Sequence, residues 1–434
     1  MALLNALRRQ LFWYLDGIKG AKIKKHYSEI KDILKDPLSD GSVKNMERDL
    51  SNILEHAIAT TPFYQNFRGY ESLQDFPIID KSLVLERYDD FKSNLFKESE
   101  LVQVFSSGST GIPFRIFQDK EKRNRNTADV IVFLELAGGV FGDRLFFLKL
   151  WDDKNRKGEL TSWIQNIYAH NVMDSSDSDM EKLLYKLEKC RFSKNIMGYP
   201  SFFEELCCYL NSSENKPEIK GVNTIISFAE SLKENERKQM EEFFGAPVYE
   251  RYSNQENGIF AQKTKLDPNR FVLNVASYRF EVLKIGSDEH VGPGEVGRLV
   301  VTDLFNFAMP LIRYDTGDMV LYEQTELGRP FFSSIFGRRM DTIYDTAGKI
   351  VSPHIFYRVL DYGQMEQFQF VQTEEKSYKF RINGAPKNLQ ENKIIEFFRT
   401  YLGEDAQINF EYVKEIPLLS SGKRKKIASE YKKS

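Results

Sequence analysis

Val104-Phe105-Ser106-Ser107-Gly108-Ser109-Thr110-Gly111-Ile112-Pro113 is the stretch around which the chain is organised. Four hydroxyls and two glycines fall within one turn. They lie between the apolar residues Val102 and Val104 on one side and Phe114 and Ile116 on the other, which predicts a short strand, a loop and a second strand. Such a loop suits a polyphosphate. Glycines let the backbone turn its N–H groups toward an anion at close range, and hydroxyls add donors or a magnesium contact. No Gly-Lys-Ser/Thr follows, so it is not a Walker loop, and the Gly-x-Gly-x-x-Gly of dinucleotide sites is missing. An ordinary polar hairpin turn uses the same residue types, and the stretch alone leaves both readings open.

Downstream of the loop, residues 120–138 read as a helix, charged at first and then apolar through Val130, Ile131, Phe133 and Leu134. Buried strands are predicted over 145–150, 223–228 and 247–249, separated by helical stretches at 177–190 and 201–210. Strands alternating with helices imply an α/β core with a largely parallel sheet. From Arg270 the texture changes to short strands and turns, predicting a β-rich subregion. Beyond Gly337 a small α+β unit follows, with strands at 378–382 and 408–413 around a helix at 389–401. The fold class is therefore α/β, with a large N-terminal domain over residues 1–340 and a small α+β C-terminal domain over 341–434.

Upstream, Leu4, Leu7, Leu11, Leu15 and Ile18 recur at helical spacing beside Arg8, Arg9, Lys19, Lys22, Lys24 and Lys25. This basic amphipathic opening, residues 1–25, has two readings: docking on the body of the protein, or weak contact with an anionic membrane surface. Residues 36–41 break the chain, helical spacing resumes over 43–59, and Asp80-Lys81-Ser82 opens a further short helix.

The 434 residues exceed one comfortable core. Lysine plus arginine (61) nearly balances aspartate plus glutamate (63), which argues against nucleic acid as a partner. Cys190, Cys207 and Cys208 form no disulfide or zinc pattern, no run reaches the roughly 18 apolar residues of a membrane span, and no signal-peptide cleavage pattern is seen. A cytoplasmic location is expected. Oligomeric state is not legible.

Five polar clusters fall at the ends of predicted strands, where open α/β sheets hold ligands. They are 106–113; Ser227-Phe228-Ala229-Glu230-Ser231; the run from Tyr249 to Gly258; Arg313-Tyr314-Asp315-Thr316-Gly317-Asp318; and Gly337-Arg338-Arg339-Met340-Asp341. In this order, and with the softer matches Thr61-Pro62-Phe63-Tyr64, Phe76-Pro77-Ile78-Ile79-Asp80-Lys81 and Gly198-Tyr199-Pro200-Ser201, the chain resembles the adenylate-forming superfamily of acyl-CoA synthetases, peptide-synthetase adenylation domains and luciferases. Within it the likeness is to the branch of phenylacetate-CoA ligase and the CapK-like proteins of capsular polysaccharide biosynthesis.

That resemblance implies an ATP-dependent ligase that activates a small-molecule carboxylic acid as acyl-AMP, releases pyrophosphate, and passes the acyl group to coenzyme A as co-substrate or to an amine or hydroxyl acceptor. It implies that Ser106, Ser107, Gly108, Ser109, Thr110 and Gly111 close over the β- and γ-phosphates, and that Ala229, Glu230 and Ser231 border adenine with Tyr252 stacking nearby. Glu256 is the implied magnesium ligand, and Asp318 the acceptor for both ribose hydroxyls. Arg338 is expected to reach nucleotide oxygens, Asp341 to be the hinge of a mobile C-terminal domain, and Lys423 to bridge the substrate carboxylate and the α-phosphate. Trp151, Asp152, Asp153 and the run 198–203 are expected beside the acyl pocket.

The sequence departs from the family pattern at Ile112, where lysine is common, at Ser253 in place of glycine, at Gln255 in place of a hydroxyl residue, and at Met340 in place of an acid. His26, His56, His170, His290 and His354 lie outside every cluster, so a histidine base is not indicated. A binding or scaffold protein that kept the fold and lost the reaction is the competing reading.

Overall fold

The computed structural model describes residues 2–106, 114–151, 158–213, 216–338, 343–351, 353–363, 365, 367–383, 389–417 and 427–431. Three helices come first: α1 (Ala2–Ile18), α2 (Lys22–Lys35) and α3 (Asp40–Thr60). The basic opening is thus two helices, because Gly20 and Ala21 take left-handed φ values of 93° and 53° and turn the chain. Asp16 fixes the turn by accepting from Ile23 N (3.1 Å) and Lys24 N (2.8 Å), the orphan donors at the start of α2.

Helix α4 (Lys81–Glu86) begins at Asp80, whose carboxylate accepts from Leu83 N at 2.8 Å. Strands β1 (Val102–Ser106) and β2 (Phe114–Gln118) pair antiparallel as a hairpin, with Ser106 opposite Phe114. Asp119 then caps α5 (Lys120–Leu136) through Lys122 N.

The αβ alternation that follows is β3 (Arg144–Lys149), α6 (Glu159–Ile164), β4 (Ile167–Asn171), α7 (Asp177–Lys189), β5 (Lys194–Gly198), α8 (Pro200–Ser212), β6 (Val222–Phe228), α9 (Glu234–Phe244) and β7 (Val248–Asn254). These five strands pair parallel in the order β4-β3-β5-β6-β7. Neighbouring residues on a strand face opposite layers: Ile225 packs with Leu183, Phe202 and Met240 of α7–α9, whereas Ile226 packs with Ala137, Met197 and Tyr249 on the side of α5.

The β-rich subregion holds β8 (Gly258–Gln262), β9 (Phe271–Leu273), β10 (Tyr278–Leu283), β11 (Glu295–Asp303), β12 (Tyr314–Gln324) and β13 (Pro330–Arg338). It is not a separate layer. Beyond β7 the same sheet continues antiparallel as β8-β9-β13-β12-β11-β10, giving eleven strands in all. The expected largely parallel sheet therefore describes one half of a mixed sheet. The change of hydrophobic texture near Arg270 follows the change from strands covered on both faces to strands in an antiparallel meander.

After the short pair β14 (Ile343–Tyr344) and β15 (Ile350–Val351), a separate C-terminal domain is built from β16 (Phe368–Glu374), β17 (Ser377–Asn383), α10 (Glu391–Leu402), β18 (Gln407–Val413) and β19 (Ile427–Ser429). Its four-stranded sheet has the order β18-β17-β16-β19, and Phe370, Phe380, Phe398 and Leu402 fill its own core.

Three histidines are held neutral by packing. Burial lowers the affinity of His26, His56 and His170 for a proton, with the nearby Arg125 guanidinium adding to the effect at His26. The unfolded chain, titrating near 6.5, then binds more protons than the folded one in mildly acidic solution. Their contribution to stability is full above about pH 6.5 and is lost as pH falls below it. Urea midpoints are expected to drop between pH 7.5 and pH 5.5; an unchanged midpoint would contradict this.

Candidate active site

The described parts of the polar clusters meet on one region of the large sheet. Tyr252 on β7 donates from its hydroxyl to Asp318 Oδ2 on β12 at 2.6 Å. In the strand order these residues are separated by β13, β9 and β8, which in a flat sheet would place them about 19 Å apart. The sheet curls to bring them together. The β12–β13 register sets Asp318 opposite Arg338, so a third expected residue shares the position through its backbone. Asp318 is not at a strand end as expected: it lies within β12, where the ladder shifts register between Met319 and Val320 and Gly317 takes φ 77°. A bulge re-aims a side chain from a strand interior much as a strand end would.

Glu256 sits in the turn between β7 and β8. Asn254 Oδ1 accepts from Asn257 N at 2.8 Å and so shapes this turn from within. Gly258 closes it at φ 124°, where an added Cβ would stand 2.9 Å from Asn126 Oδ1 and 3.0 Å from the Tyr278 hydroxyl. Glu256 is buried and forms no ion pair with a described residue. Its backbone carbonyl accepts from Gln118 Nε2 at 2.9 Å, which ties the turn to the base of the β1–β2 hairpin.

The hairpin is anchored from two further directions. Asn306 Nδ2 donates to Phe117 O at 3.0 Å, and Phe114 stacks on Tyr314 with planes 7° apart. Segment 76–81, seen in the sequence only as a soft match, runs beside the fourth cluster: Ile79 N donates to Arg313 O and Asp315 N to Ile79 O. Arg313, at φ 52°, clasps Glu281 with two 3.1 Å bonds and donates to Phe76 O.

The second cluster leaves the end of β6. Phe228 pairs with Arg251, adjacent to Tyr252, and Ala229 takes φ 72°, a conformation unfavourable to a residue with a Cβ. Glu230 serves differently from a ring-facing side chain, since its Oε2 accepts from Ser201 N at 2.9 Å at the start of α8. Arg251 faces away from Tyr252, toward Gln262 and Met197, and burial draws its guanidinium down to about 9.

Beneath the Glu256 turn lies a charged core that the sequence reading missed. Lys122 and Asp303, both fully buried, pair at 2.6 Å. Lys122 Nζ also donates to the Tyr278 hydroxyl, which donates to Asn257 O at 2.7 Å, while Asn257 Nδ2 reaches Asp303 Oδ2 at 3.3 Å. Arg125 and Asp129 continue the stripe along α5 through Ser277. Charges at 122, 125 and 129 share one helical face, the one signal available in the sequence. Ser107–Pro113, Asp152, Asp153, Asp341 and Lys423 fall outside the described residues, as do the side chains of Ser106 and Arg338.

The fold has close counterparts among solved structures. A 2-hydroxyisobutyryl-CoA ligase in its postadenylation state superposes with a TM-score of 0.70 over 89% of each chain at 17% identity. This is the adenylate-forming ligase fold. The ATP-bound MatB from Rhodopseudomonas palustris matches with a TM-score of 0.57 at 15% identity, over 77% of this chain and 68% of that one. In sequence, the chain is 24% identical to Protein CapK of Staphylococcus aureus over 361 residues, 78% of this chain and 77% of that protein. It is 25% identical to the phenylacetate-coenzyme A ligase of Thermus thermophilus over 319 residues, 68% and 70% of the two. Residues 343–430 match the family model of the CapK C-terminal domain.

Proposed function

We propose that the chain is an ATP-dependent adenylate-forming ligase that activates a carboxylic acid as acyl-AMP and passes the acyl group to a nucleophile. The observation that carries this reading is the meeting of Tyr252, Asp318 and the backbone of Arg338 beside the buried Glu256 turn. In the first step an oxygen of the acid attacks the α-phosphorus, the bond from that phosphorus to the bridging oxygen breaks, and pyrophosphate leaves with the electron pair. Two anions approach and a third departs, so aimed donors and cations must follow the shifting charge.

Asp318 would accept from the ribose hydroxyls, Tyr252 holding its carboxylate in place. Ser106, Ser107, Gly108, Ser109, Thr110 and Gly111 would cradle the outer phosphates, and Arg338 and Lys423 would supply positive charge. A magnesium ion fits Glu256 together with phosphate oxygens, since this ion commonly takes one or two carboxylates and completes its shell from the nucleotide. It would supply charge neutralisation for the leaving pyrophosphate.

The domain division falls at 340/341, with Asp341 as the hinge on which residues 341–434 turn between the two half-reactions. The acceptor is coenzyme A, as the name of the Thermus relative suggests, or an amine or hydroxyl. Pyrophosphate exchange against a panel of carboxylic and amino acids, with and without coenzyme A, tests the activity and sorts the acceptors. No exchange with any acid would favour the inactive scaffold reading instead.

Asp318→Ala removes a charged acceptor and leaves the Tyr252 hydroxyl without its partner. ATP affinity is expected to fall about tenfold or more, the effect of losing hydrogen bonds to a charged group. Equal affinity by calorimetry would contradict the ribose role.

A further inference from the structure

Helix α1 was recognisable by its apolar stripe, yet the stripe is not the face that docks. The helix is held to the body through Asn5, which donates to Asp143 Oδ1 at 3.0 Å, through Phe12, whose ring meets Phe141 at 4.9 Å, and through buried Asp16. Leu4, Leu7, Leu11, Tyr14, Leu15 and Ile18 remain between 42% and 67% exposed. At helical spacing these six fall within an arc of about 100°. The docked residues centre roughly 130° away, so the helix cannot roll its stripe inward without breaking the Asn5, Phe12 and Asp16 contacts. A continuous apolar strip of this kind marks an interaction surface.

What surrounds the strip selects the partner. Residues 1–25 carry six cations, Arg8, Arg9, Lys19, Lys22, Lys24 and Lys25, against the single carboxylate Asp16, in a chain of net charge −2. Lys19 and Lys25 are exposed and make no ion pair with a described residue, and the Arg8 guanidinium lies over exposed Trp163 at 5.3 Å. Arg8 thus flanks the strip on one side, and Lys19, Lys24 and Lys25 lie beyond its C-terminal end, with Lys22 paired to Glu121 at 3.2 Å. A second copy seated on it with the two helices running in the same direction would bring the basic ends together, whereas an anionic surface would meet them favourably.

We propose that α1 and the following basic turn form a docking surface for an anionic phospholipid bilayer, with the leucine strip immersed at the headgroup boundary and Lys19 to Lys25 against the phosphates. An apolar face flanked by cations and an indole is the arrangement that lies in a membrane interface without crossing it. Among the described residues no helix is long and apolar enough to cross a membrane.

The test is co-sedimentation of the full chain with vesicles of phosphatidylcholine alone or mixed with phosphatidylglycerol. Binding is expected to the mixed vesicles only and to weaken as salt is raised. The double substitution Leu7→Glu/Leu11→Glu should reduce it roughly tenfold or more, and Lys19→Glu/Lys25→Glu should reduce it while leaving the strip intact. Both pairs are exposed, so unchanged circular dichroism and urea midpoints are expected, and an unchanged pyrophosphate exchange rate would separate this surface from the catalytic reading. Failure to sediment with mixed vesicles, or equal binding by the Leu7→Glu/Leu11→Glu variant, would overturn the proposal. So would a concentration-dependent dimer, abolished by the same variant, in a protein that ignores vesicles.

Discussion

Asp303→Ala is expected to destabilise the large domain by about 3–5 kcal/mol, the usual effect of stranding one partner of a buried ion pair. Lys122 is fully buried and would be left with the Tyr278 hydroxyl as its remaining polar contact, while Asn257 would lose the acceptor for its side-chain amide. The loss should appear as a lower urea midpoint with an unchanged slope. A double substitution, Lys122→Met with Asp303→Leu, removes both charges and should cost much less than the sum of the single changes. Additive losses would mean that the pair is not the coupled unit described. Because the same network holds Asn257 O, the double variant should also loosen the turn bearing Glu256, visible as weaker nucleotide binding in a protein that remains folded.

Lys423→Ala is expected to slow acyl-AMP formation on the order of 100-fold or more while sparing ATP binding. The effect is electrostatic. A cation aimed at the α-phosphate matters most where the acid oxygen and the phosphorus oxygens come together, and much less for a ground state whose phosphates are already held elsewhere. Pyrophosphate exchange reads the step, and calorimetry reads the binding. Unaltered exchange would remove Lys423 from the proposed mechanism, and an equal loss of rate and affinity would make it a binding residue only.

Much of the fold was legible locally. The strands β3, β6 and β7, the helices α5, α7 and α8, the β1–β2 hairpin and the start of α4 at Asp80 all depend on neighbours in the chain, whereas α6, β4, β5 and α9 were not predicted. The joining of the parallel and antiparallel halves through β7 and β8 was not legible, because pairing across a sheet leaves no local mark. The second helix of the basic opening was also missed: Gly20 and Ala21 break α1 through backbone conformation, and the periodicity of side chains conceals it.

For the candidate site, the residue types were readable and their mutual positions were not. Tyr252, Glu256 and Asp318 were singled out by their place in ordered motifs, whereas Lys122, Asp303 and Tyr278, which brace the Glu256 turn through Asn257, belong to no motif. Glu230 was recognised as part of a motif, but only the folded chain shows its carboxylate committed to the start of α8.

The sequence by itself determined many of the helices and strands, where the polar turns occur, and which chemistry those residue types suit, since propensity, capping and hydrophobic period act over a few residues. Tertiary structure alone decided that the sheet curls until Tyr252 meets Asp318, that a lysine and an aspartate far apart in the chain share one dry core, and that the leucine strip of α1 points outward. Those outcomes follow from strand twist and from the competition of whole faces for burial, quantities that no short stretch of chain contains.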